Sequence, residues 1–369
     1  MKIRTLTSHN VYNYGASLQA FALMKYLKKK GNEVEIIDYM PEYRKGRYNF
    51  WFIDPRFKWR KYKLLRLCAC ILLFPKRFYT YKRKASFDTF TKNYLSLTDR
   101  YESLKELENV KWNTDLFIVG SDQVWNSYHE TGKDPANYLS FVPEGIRKVS
   151  YAASFGTDRI KEGFENIVKD NLKSFSFISV REKQGVDILR KLGFKAVLNL
   201  DPVFLLDRDE WDELESKNGH DEKYILVYDF ANNEMIKNFA IEYSRKHSLK
   251  IYSLNDFVPH RYADKNINNA GPREFLNLIK NAECFVSNSF HGTAFSIIFN
   301  KQFFVFNRKD AVNSRMQSLL SLIGLEDRIV NNYTEFSKMD NVINYDGVNT
   351  KLQSERKHSE EVFLKVLAI

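Results

Sequence analysis

The sequence has only three cysteines in 369 residues, Cys68, Cys70 and Cys284. So few thiols, and an odd number of them, exclude a disulfide framework and favour a reducing compartment. Cys68 and Cys70 have no second pair of Cys or His at ligand spacing, so a structural zinc site is not expected. We expect the protein to work without a metal or a cofactor.

A long apolar run is also missing. Hydrophobic residues make up 44% of the chain, which is enough for a real interior, but no run approaches the about 20 residues that span a bilayer. The first ten residues, MKIRTLTSHN, lack the apolar core of a signal peptide. Both absences predict a cytoplasmic protein.

Acidic residues are nearly absent from one segment. The net charge is +11, yet residues 44–84 hold 14 Lys or Arg and a single acid, so the rest of the chain is close to neutral. Aromatic residues interrupt the bases, and the short apolar core LLRLCACILLF lies among them. This composition is typical of a helix lying on an anionic membrane surface. Packing on the protein itself is one alternative. Single-stranded nucleic acid is another, which the apolar core disfavours.

Short apolar strands alternate with helices through most of the remaining chain. Residues 2–7, 16–30 and 33–39 predict an opening strand–helix–strand unit, and a second series begins at 224–228. The GxGxxG fingerprint of dinucleotide sites is missing. We predict an α/β fold of two Rossmann-like domains with a cleft between them. The predicted parts are an N-terminal domain at 1–205 that includes the basic insertion at 44–84, a C-terminal domain at 206–345, and a last helix at 346–369.

The unit from Glu283 to Phe306 has the clearest pattern. It predicts a strand ending at Val286, a polar turn, a helix at Thr293–Phe299 and a further strand. The free backbone N–H groups of a first helical turn favour an anion. Ser289 and His291 lie in this turn, although a serine that only caps the helix would produce the same pattern.

Polar residues follow two other predicted strands. Asn13, Gly15 and Gln19 lie where the first strand meets its helix, and Ser121 and Asp122 follow the apolar run DLFIV. The carboxyl ends of parallel strands share one edge of a sheet, where ligands usually bind. We therefore expect these residues near one another, although Asp122 could equally cap a turn.

Together these turns resemble those of the polysaccharide pyruvyl transferase family. Six blocks carry the resemblance, in the family's order: NYGASLQA at 13–20, GSDQVWN at 120–126, YAASFG at 151–156, SVRE at 179–182, DP at 201–202 and SFHGT at 289–293. The resemblance implies a fold similar to GT-B glycosyltransferases and phosphoenolpyruvate as donor. It also implies a sugar acceptor, often lipid-linked, that becomes a cyclic pyruvate ketal.

The resemblance also assigns roles on the donor side. It places the family's donor-site arginine at Arg181 and its histidine at His291. Some members carry a second arginine in the turn before the histidine, where this chain has Phe290, and many have Asp in place of Asn288. A guanidinium suits a carboxylate or a phosphate. The helix start suits the donor's other anionic group, through Ser289, Gly292 and Thr293.

Proton transfer and acceptor binding complete this interpretation. His291 is expected to donate a proton or to bind phosphate, and Asp122 to act as a base toward the acceptor. A salt bridge of Arg181 with Glu182 or another neighbour is the plain alternative to donor binding. Acceptor contacts are assigned to four residues: Asn13, Gly15, Gln19 and Ser121.

The sequence thus predicts a pyruvyl transferase at the inner face of the membrane that acts on a polysaccharide precursor. A GT-B glycosyltransferase that uses a nucleotide sugar is one alternative. An inactive family member that serves as a scaffold for glycan assembly is the other.

Overall fold

The computed structural model describes residues 1–45, 61–216, 219, 222–230, 232–255, 258–308 and 313–368. Its strands, in chain order, are β1 (Lys2–Leu6), β2 (Glu33–Tyr39), β3 (Leu97–Tyr101), β4 (Leu116–Val119), β5 (Arg147–Ser150), β6 (Ser179–Val180), β7 (Val197–Leu198), β8 (Tyr224–Tyr228), β9 (Lys250–Leu254), β10 (Lys265–Ile267), β11 (Cys284–Ser287), β12 (Gln302–Phe306) and β13 (Ile329–Val330). Its α-helices are α1 (Tyr14–Lys29), α2 (Lys63–Tyr94), α3 (Leu104–Glu108), α4 (Glu165–Leu172), α5 (Lys183–Lys191), α6 (Arg208–Leu214), α7 (Glu234–His247), α8 (Pro272–Asn281), α9 (Phe290–Ile298), α10 (Ser314–Ile323) and α11 (Tyr345–Ala368).

The first sheet is parallel, with the strand order β3-β2-β1-β4-β5. Two parallel bridges, Val149–Phe177 and Ala153–Val180, connect it to the small β6-β7 pair. β4 is buried along its whole length, as its apolar sequence LFIV requires. The direction in which the chain adds strands reverses between β1 and β4, and such a reversal opens a crevice at the carboxyl ends.

The second sheet is also parallel, with the order β10-β9-β8-β11-β12-β13. Its reversal lies between β8 and β11, so the corresponding crevice lies at the ends of these two strands. Two parallel α/β units in one chain confirm the predicted fold of two Rossmann-like halves. The predicted domain boundary near residue 205 falls between the two sheets and stays a prediction.

α1 connects the two units. Tyr14, at its start, stacks on Phe275 of α8 with ring centroids 4.3 Å apart and donates a hydrogen bond to the carbonyl of Ala270. α11 returns from the second unit to the first. Phe363 packs on Tyr151 at 4.4 Å, and Ser359 accepts a hydrogen bond from the backbone N–H of Leu200. These ring contacts and hydrogen bonds hold the two units together, with the carboxyl ends of their strands facing each other.

The basic segment differs from its prediction. The predicted helix lay within residues 44–84, whereas α2 begins at Lys63 and continues beyond that segment to Tyr94. Its last turns bury Phe87 and Phe90 against the first unit, which stabilises the fold by about 1.5–3 kcal/mol for each ring. Its first turns leave Leu64, Ile71 and Leu72 exposed. Residues 46–60 of the predicted insertion lie outside the described residues.

Candidate functional site

A cavity of about 430 Å³ lies where the carboxyl ends of the two sheets meet. The first sheet contributes Ser8 after β1 and Asp122 after β4, and the second contributes Phe230 after β8 and Ser289 after β11. Both reversal points therefore open into one space, and the predicted cleft between two α/β halves is present. The other residues that line it are Val11, Asn13, Gln123, His129, Thr131, Asn288, Phe290, His291, Val305, Phe306, Asn307, Arg308, Asn313, Arg315 and Met316.

The polar turn after β11 forms the second sheet's wall. The helix was predicted to begin at Thr293, but α9 begins at Phe290, because Ser289 is its N-cap and accepts a hydrogen bond from the N–H of Gly292 at 3.2 Å. His291 therefore lies in the first helical turn. Asn288 donates to Asp229 and accepts from the N–H of Phe230, so its amide ties the ends of β8 and β11 together. An aspartate could not make the donated bond.

His291 is positioned by α1. A Cβ atom at Gly15 would lie 1.9 Å from Nδ1 of His291, so only glycine permits the imidazole to lie this close to α1. On its other side, Nε2 of His291 lies 3.5 Å from Oδ2 of Asp201. Gly15 was assigned to the acceptor, but the structure places it against the imidazole.

Arg181 has no exposed side-chain surface and does not line the cavity. Its guanidinium donates to Asp201 at 2.6 Å and to Ser121 at 3.2 Å, and it lies 3.5 Å from Asp122. Burial alone would raise the pKa of Asp201, but His291 and Arg181 outweigh it and hold that pKa well below its usual range. The salt bridge that was the alternative for Arg181 is thus present, with Asp201 as the main partner.

Asp122 has a left-handed backbone, with a φ of +80° that residues other than glycine rarely adopt. Such strain is typically stored at functional sites. The conformation presents the Asp122 carboxylate to both the cavity and Arg181, with 22% of the side chain exposed.

Glu182 is a buried carboxylate behind the cavity. It accepts hydrogen bonds from Ser154 and from the N–H groups of Phe155 and Gly156. Burial raises its pKa, and Arg181 and Arg315 oppose that shift. Its contacts hold the loop after β5 in place.

Three other residues that were predicted to contact a ligand are buried and form hydrogen bonds within the protein. Gln19 is completely buried and donates to Thr7 and to the carbonyls of Ser8 and Ala16. Ser121 is also buried, and its hydroxyl donates a hydrogen bond to Asp201. Thr293 is buried and donates to the carbonyl of Ser289 within α9. In addition, a Cβ on Gly292 would meet the ring of Phe285 at 2.4 Å, so this glycine serves packing.

Arg315 is the main residue that the sequence analysis missed. It is the second residue of α10, lines the cavity and is only 7% exposed. Its guanidinium carbon lies 5.7 Å from the centre of the Phe290 ring, and that of Arg181 lies 5.0 Å from the same ring. Arg308, also missed, follows β12 and could have been found by the strand-end rule that identified Asp122. No comparable sequence signal marks Arg315.

The cavity can therefore bind a small anion beside groups that transfer protons. Cationic side chains and the start of α9 supply the binding, an imidazole held next to a carboxylate supplies a proton, and Asp122 can accept one. Among the residues that the structure describes, no three His, Cys, Asp or Glu side chains converge as metal ligands.

The architecture defines the class of fold, a GT-B-like pair of α/β units. A UDP-GlcNAc 2-epimerase from Methanocaldococcus jannaschii superposes with a TM-score of 0.51 at 12% identity, covering 99% of this chain and 100% of that one. A UDP-GlcNAc 2-epimerase from Neisseria meningitidis gives 0.48 at 12% identity, with 99% and 100% covered. MurG from Acinetobacter baumannii gives 0.45 at 10% identity, with 100% and 99% covered. At such identity the likeness concerns the fold alone.

The family follows from the sequence. The family model for polysaccharide pyruvyl transferase matches residues 13–310, which is most of the chain and includes Asn13, Arg181 and His291. The chain belongs to the polysaccharide pyruvyl transferase family, and it is a transferase. Curated protein sequences gave no match.

Proposed function

We propose that the protein transfers the pyruvyl group of phosphoenolpyruvate to a sugar of a lipid-linked polysaccharide precursor, where it becomes a cyclic ketal. Family membership supports the reaction class. The observation that carries the proposal is the position of His291, in the first turn of α9 and at the wall of a cavity that the buried Arg315 also lines. A donor with two anionic groups and a carbon that must be protonated needs this combination.

The reaction consumes two acceptor hydroxyl groups. In the first step a proton is added to C3 of the donor while one hydroxyl oxygen bonds to C2 and gives up its proton. In the second step the bond between C2 and the phosphate oxygen breaks, the second hydroxyl oxygen bonds to C2, and its proton leaves with phosphate. One phosphate is released for each ketal, and protons balance.

His291 supplies the proton to C3 in this scheme. Asp201, whose Oδ2 lies 3.5 Å from Nε2 of His291, is a carboxylate at neutral pH and lies directly beside the imidazole. Asp122 accepts the proton of the attacking hydroxyl group. Arg181 is a positioning residue, because its contacts with Asp201 and Asp122 hold the two carboxylates that serve these steps.

The acceptor occupies the first sheet's side of the cavity. Asn13 and Gln123 line that side, together with His129 and Thr131. Amide, imidazole and hydroxyl groups of this kind hydrogen-bond to sugar hydroxyls. The donor occupies the opposite side, against the start of α9 and Arg315.

The exposed start of α2 supports a peripheral contact with the membrane that carries a lipid-linked acceptor. Seven of its Leu, Ile and Phe side chains are about half exposed or more: Leu64, Leu65, Leu67, Ile71, Leu72, Phe74 and Phe78. Dense Lys and Arg surround them in sequence, which suits an anionic lipid surface. In the described ranges, no helix combines the length and the apolar character that crossing a bilayer requires.

The direct test supplies the protein with phosphoenolpyruvate and a panel of lipid-linked sugars and follows phosphate release. We expect release only when donor and a suitable acceptor are both present. Absence of release with every acceptor, together with stabilisation by a nucleotide sugar, would favour a glycosyltransferase instead.

A further inference from the structure

Among the described residues, Arg315 is a buried charge that forms no ion pair. Its side chain is more than nine-tenths buried, and its Nε atom has no hydrogen-bond partner. Within the described part of the chain, no carboxylate lies within ion-pair distance of it. A buried, unpaired ion strongly destabilises a folded protein, so a fold rarely retains one without a ligand that pairs with it.

The contrast with Arg181 shows where the free positive charge lies. Arg181 is paired with Asp201 at 2.6 Å, and its pKa is raised because Asp201 and Asp122 outweigh the effect of burial. For Arg315, burial and the repulsion of Arg181 outweigh the more distant Asp122 and Glu182 and lower the pKa to about 10, which still leaves the guanidinium charged at neutral pH. Of the two buried guanidinium groups beside Phe290, the unpaired one is also the one that lines the cavity.

The surroundings of Arg315 suit a phosphate. Arg308 and Asn313 line the same part of the second unit, and the capped start of α9 lies on the same wall. The turn between β11 and α9, Asn288-Ser289, contains no arginine, so α10 brings the guanidinium to this wall from a different direction. A planar guanidinium can donate two parallel hydrogen bonds to phosphate oxygens.

We propose that Arg315 binds the phosphoryl group of the donor and is the principal anion ligand of the cavity, whereas Arg181 remains paired with Asp201. The identity of the donor rests on the proposed function; the presence of a phosphate site does not. Arg315 lies beyond residue 310, where the family match ends.

The test measures the melting temperature and the dissociation constants of wild type, Arg315→Met and Arg315→Lys with inorganic phosphate, phosphoenolpyruvate and UDP. We expect phosphate and phosphoenolpyruvate to stabilise the wild type. In Arg315→Met we expect the affinity for phosphoenolpyruvate to fall on the order of 30- to 100-fold, because charge-assisted hydrogen bonds are lost. Arg315→Lys keeps the charge but not the paired geometry, and should be intermediate.

A second readout separates binding from a structural role. Without ligand, Arg315→Met should melt at or above the wild-type temperature, because an unpaired charge has been removed. The matched control is Arg328→Met. Arg328 is 3% exposed but pairs with Asp327 at 2.6 Å and donates to the carbonyl of Asn341. This variant should melt lower than wild type and still respond to phosphate.

Each result decides a different point. Phosphate binding unchanged in Arg315→Met, or no phosphate binding by the wild type, overturns the proposal. Loss of folding in Arg315→Met overturns the premise that the charge is unpaired. In that case Arg315→Lys decides about the ligand, because an affinity for phosphate equal to that of the wild type rules out recognition by the guanidinium. An Arg315-dependent response to UDP but not to phosphoenolpyruvate moves the site to a nucleotide. If phosphate binding depends on Arg315 but no acceptor is ever pyruvylated, the site stands and the proposed function fails.

Discussion

Gly15 and His291 lie so close that a single added methyl group would occupy the position of the imidazole, with Cβ 1.9 Å from Nδ1. The N-terminal unit thus fixes a side chain of the C-terminal unit at the cavity that both share. The backbone of Gly15 is ordinary helix, which any residue can adopt. Glycine is needed here because a Cβ atom would overlap the imidazole ring of His291.

Gly15→Ala should therefore displace His291 and lower kcat on the order of 100-fold, because an error of about 1 Å in position has that effect on a proton-transferring group. Steady-state kinetics at saturating phosphoenolpyruvate would measure it. Gly347→Ala is the control: Gly347 is also helical, nothing lies within 4 Å of the added atom, and neither activity nor fold should suffer. Equal activity of both variants would contradict the positioning role of Gly15.

Asp201→Asn should destabilise the protein by about 3–5 kcal/mol at pH 7, because it leaves Arg181 buried with its main partner gone. Urea unfolding would measure the loss. Asp122 and Glu182, at 3.5 and 3.9 Å from Arg181, remain as weaker counter-charges, and His291 loses its neighbouring carboxylate.

The same pair predicts a pH dependence. The native pKa of Asp201 lies below its usual value of 3.8, so its stabilising effect is complete above about pH 4 to 5 and is lost as pH falls toward the native pKa. The difference in unfolding free energy between wild type and Asp201→Asn should therefore be constant from pH 7 to 5 and shrink below pH 4. A difference that grows on acidification would contradict the ion pair.

Asp122→Asn should preserve the fold, since asparagine also tolerates a left-handed φ, and should lower kcat by about 10²- to 10⁴-fold through the loss of a general base. The melting temperature and kcat would be compared with those of wild type. A kcat equal to that of wild type would show that Asp122 is not a base and only shapes the turn and helps to neutralise Arg181.

The triple change Leu64→Ser, Ile71→Ser and Leu72→Ser should weaken flotation with anionic vesicles without lowering the melting temperature, because the three side chains are 72%, 63% and 80% exposed. Val342→Ser, at a valine that is 77% exposed, is the matched control and should float like wild type. Flotation should also weaken at high salt. A triple variant that floats as well as wild type would remove the membrane contact.

The sequence predicted the interior strands and helices well. β1, β2, β4, β8 and β11 are apolar runs bounded by polar turns, and their positions followed from that pattern. The edge strands β3, β10 and β13 were missed, because LTDRY, KNI and a two-residue strand carry little apolar signal. The chain position of α2 was recognised, but not its length.

The site was less predictable because its side chains form hydrogen bonds and ion pairs with residues that lie far from them in sequence. The ends of β4 and β11 indicated Asp122 and His291 as polar residues at a sheet edge, and the family resemblance indicated Arg181. The pattern could not show that Asp201 would pair with Arg181, or that Gln19 would turn inward to Thr7. The unpaired state of Arg315 likewise follows only from the packing of α10.

The central claim is transfer of the pyruvyl carbons themselves to a sugar. The most direct measurement incubates the protein with carbon-labelled phosphoenolpyruvate and a lipid-linked glycan, and then analyses the glycan by NMR and mass spectrometry. The account predicts label in a ketal carbon bonded to two sugar oxygens, with one phosphate released per ketal, and no label with His291→Ala. Label recovered only as free pyruvate, or undiminished transfer by His291→Ala, would contradict it.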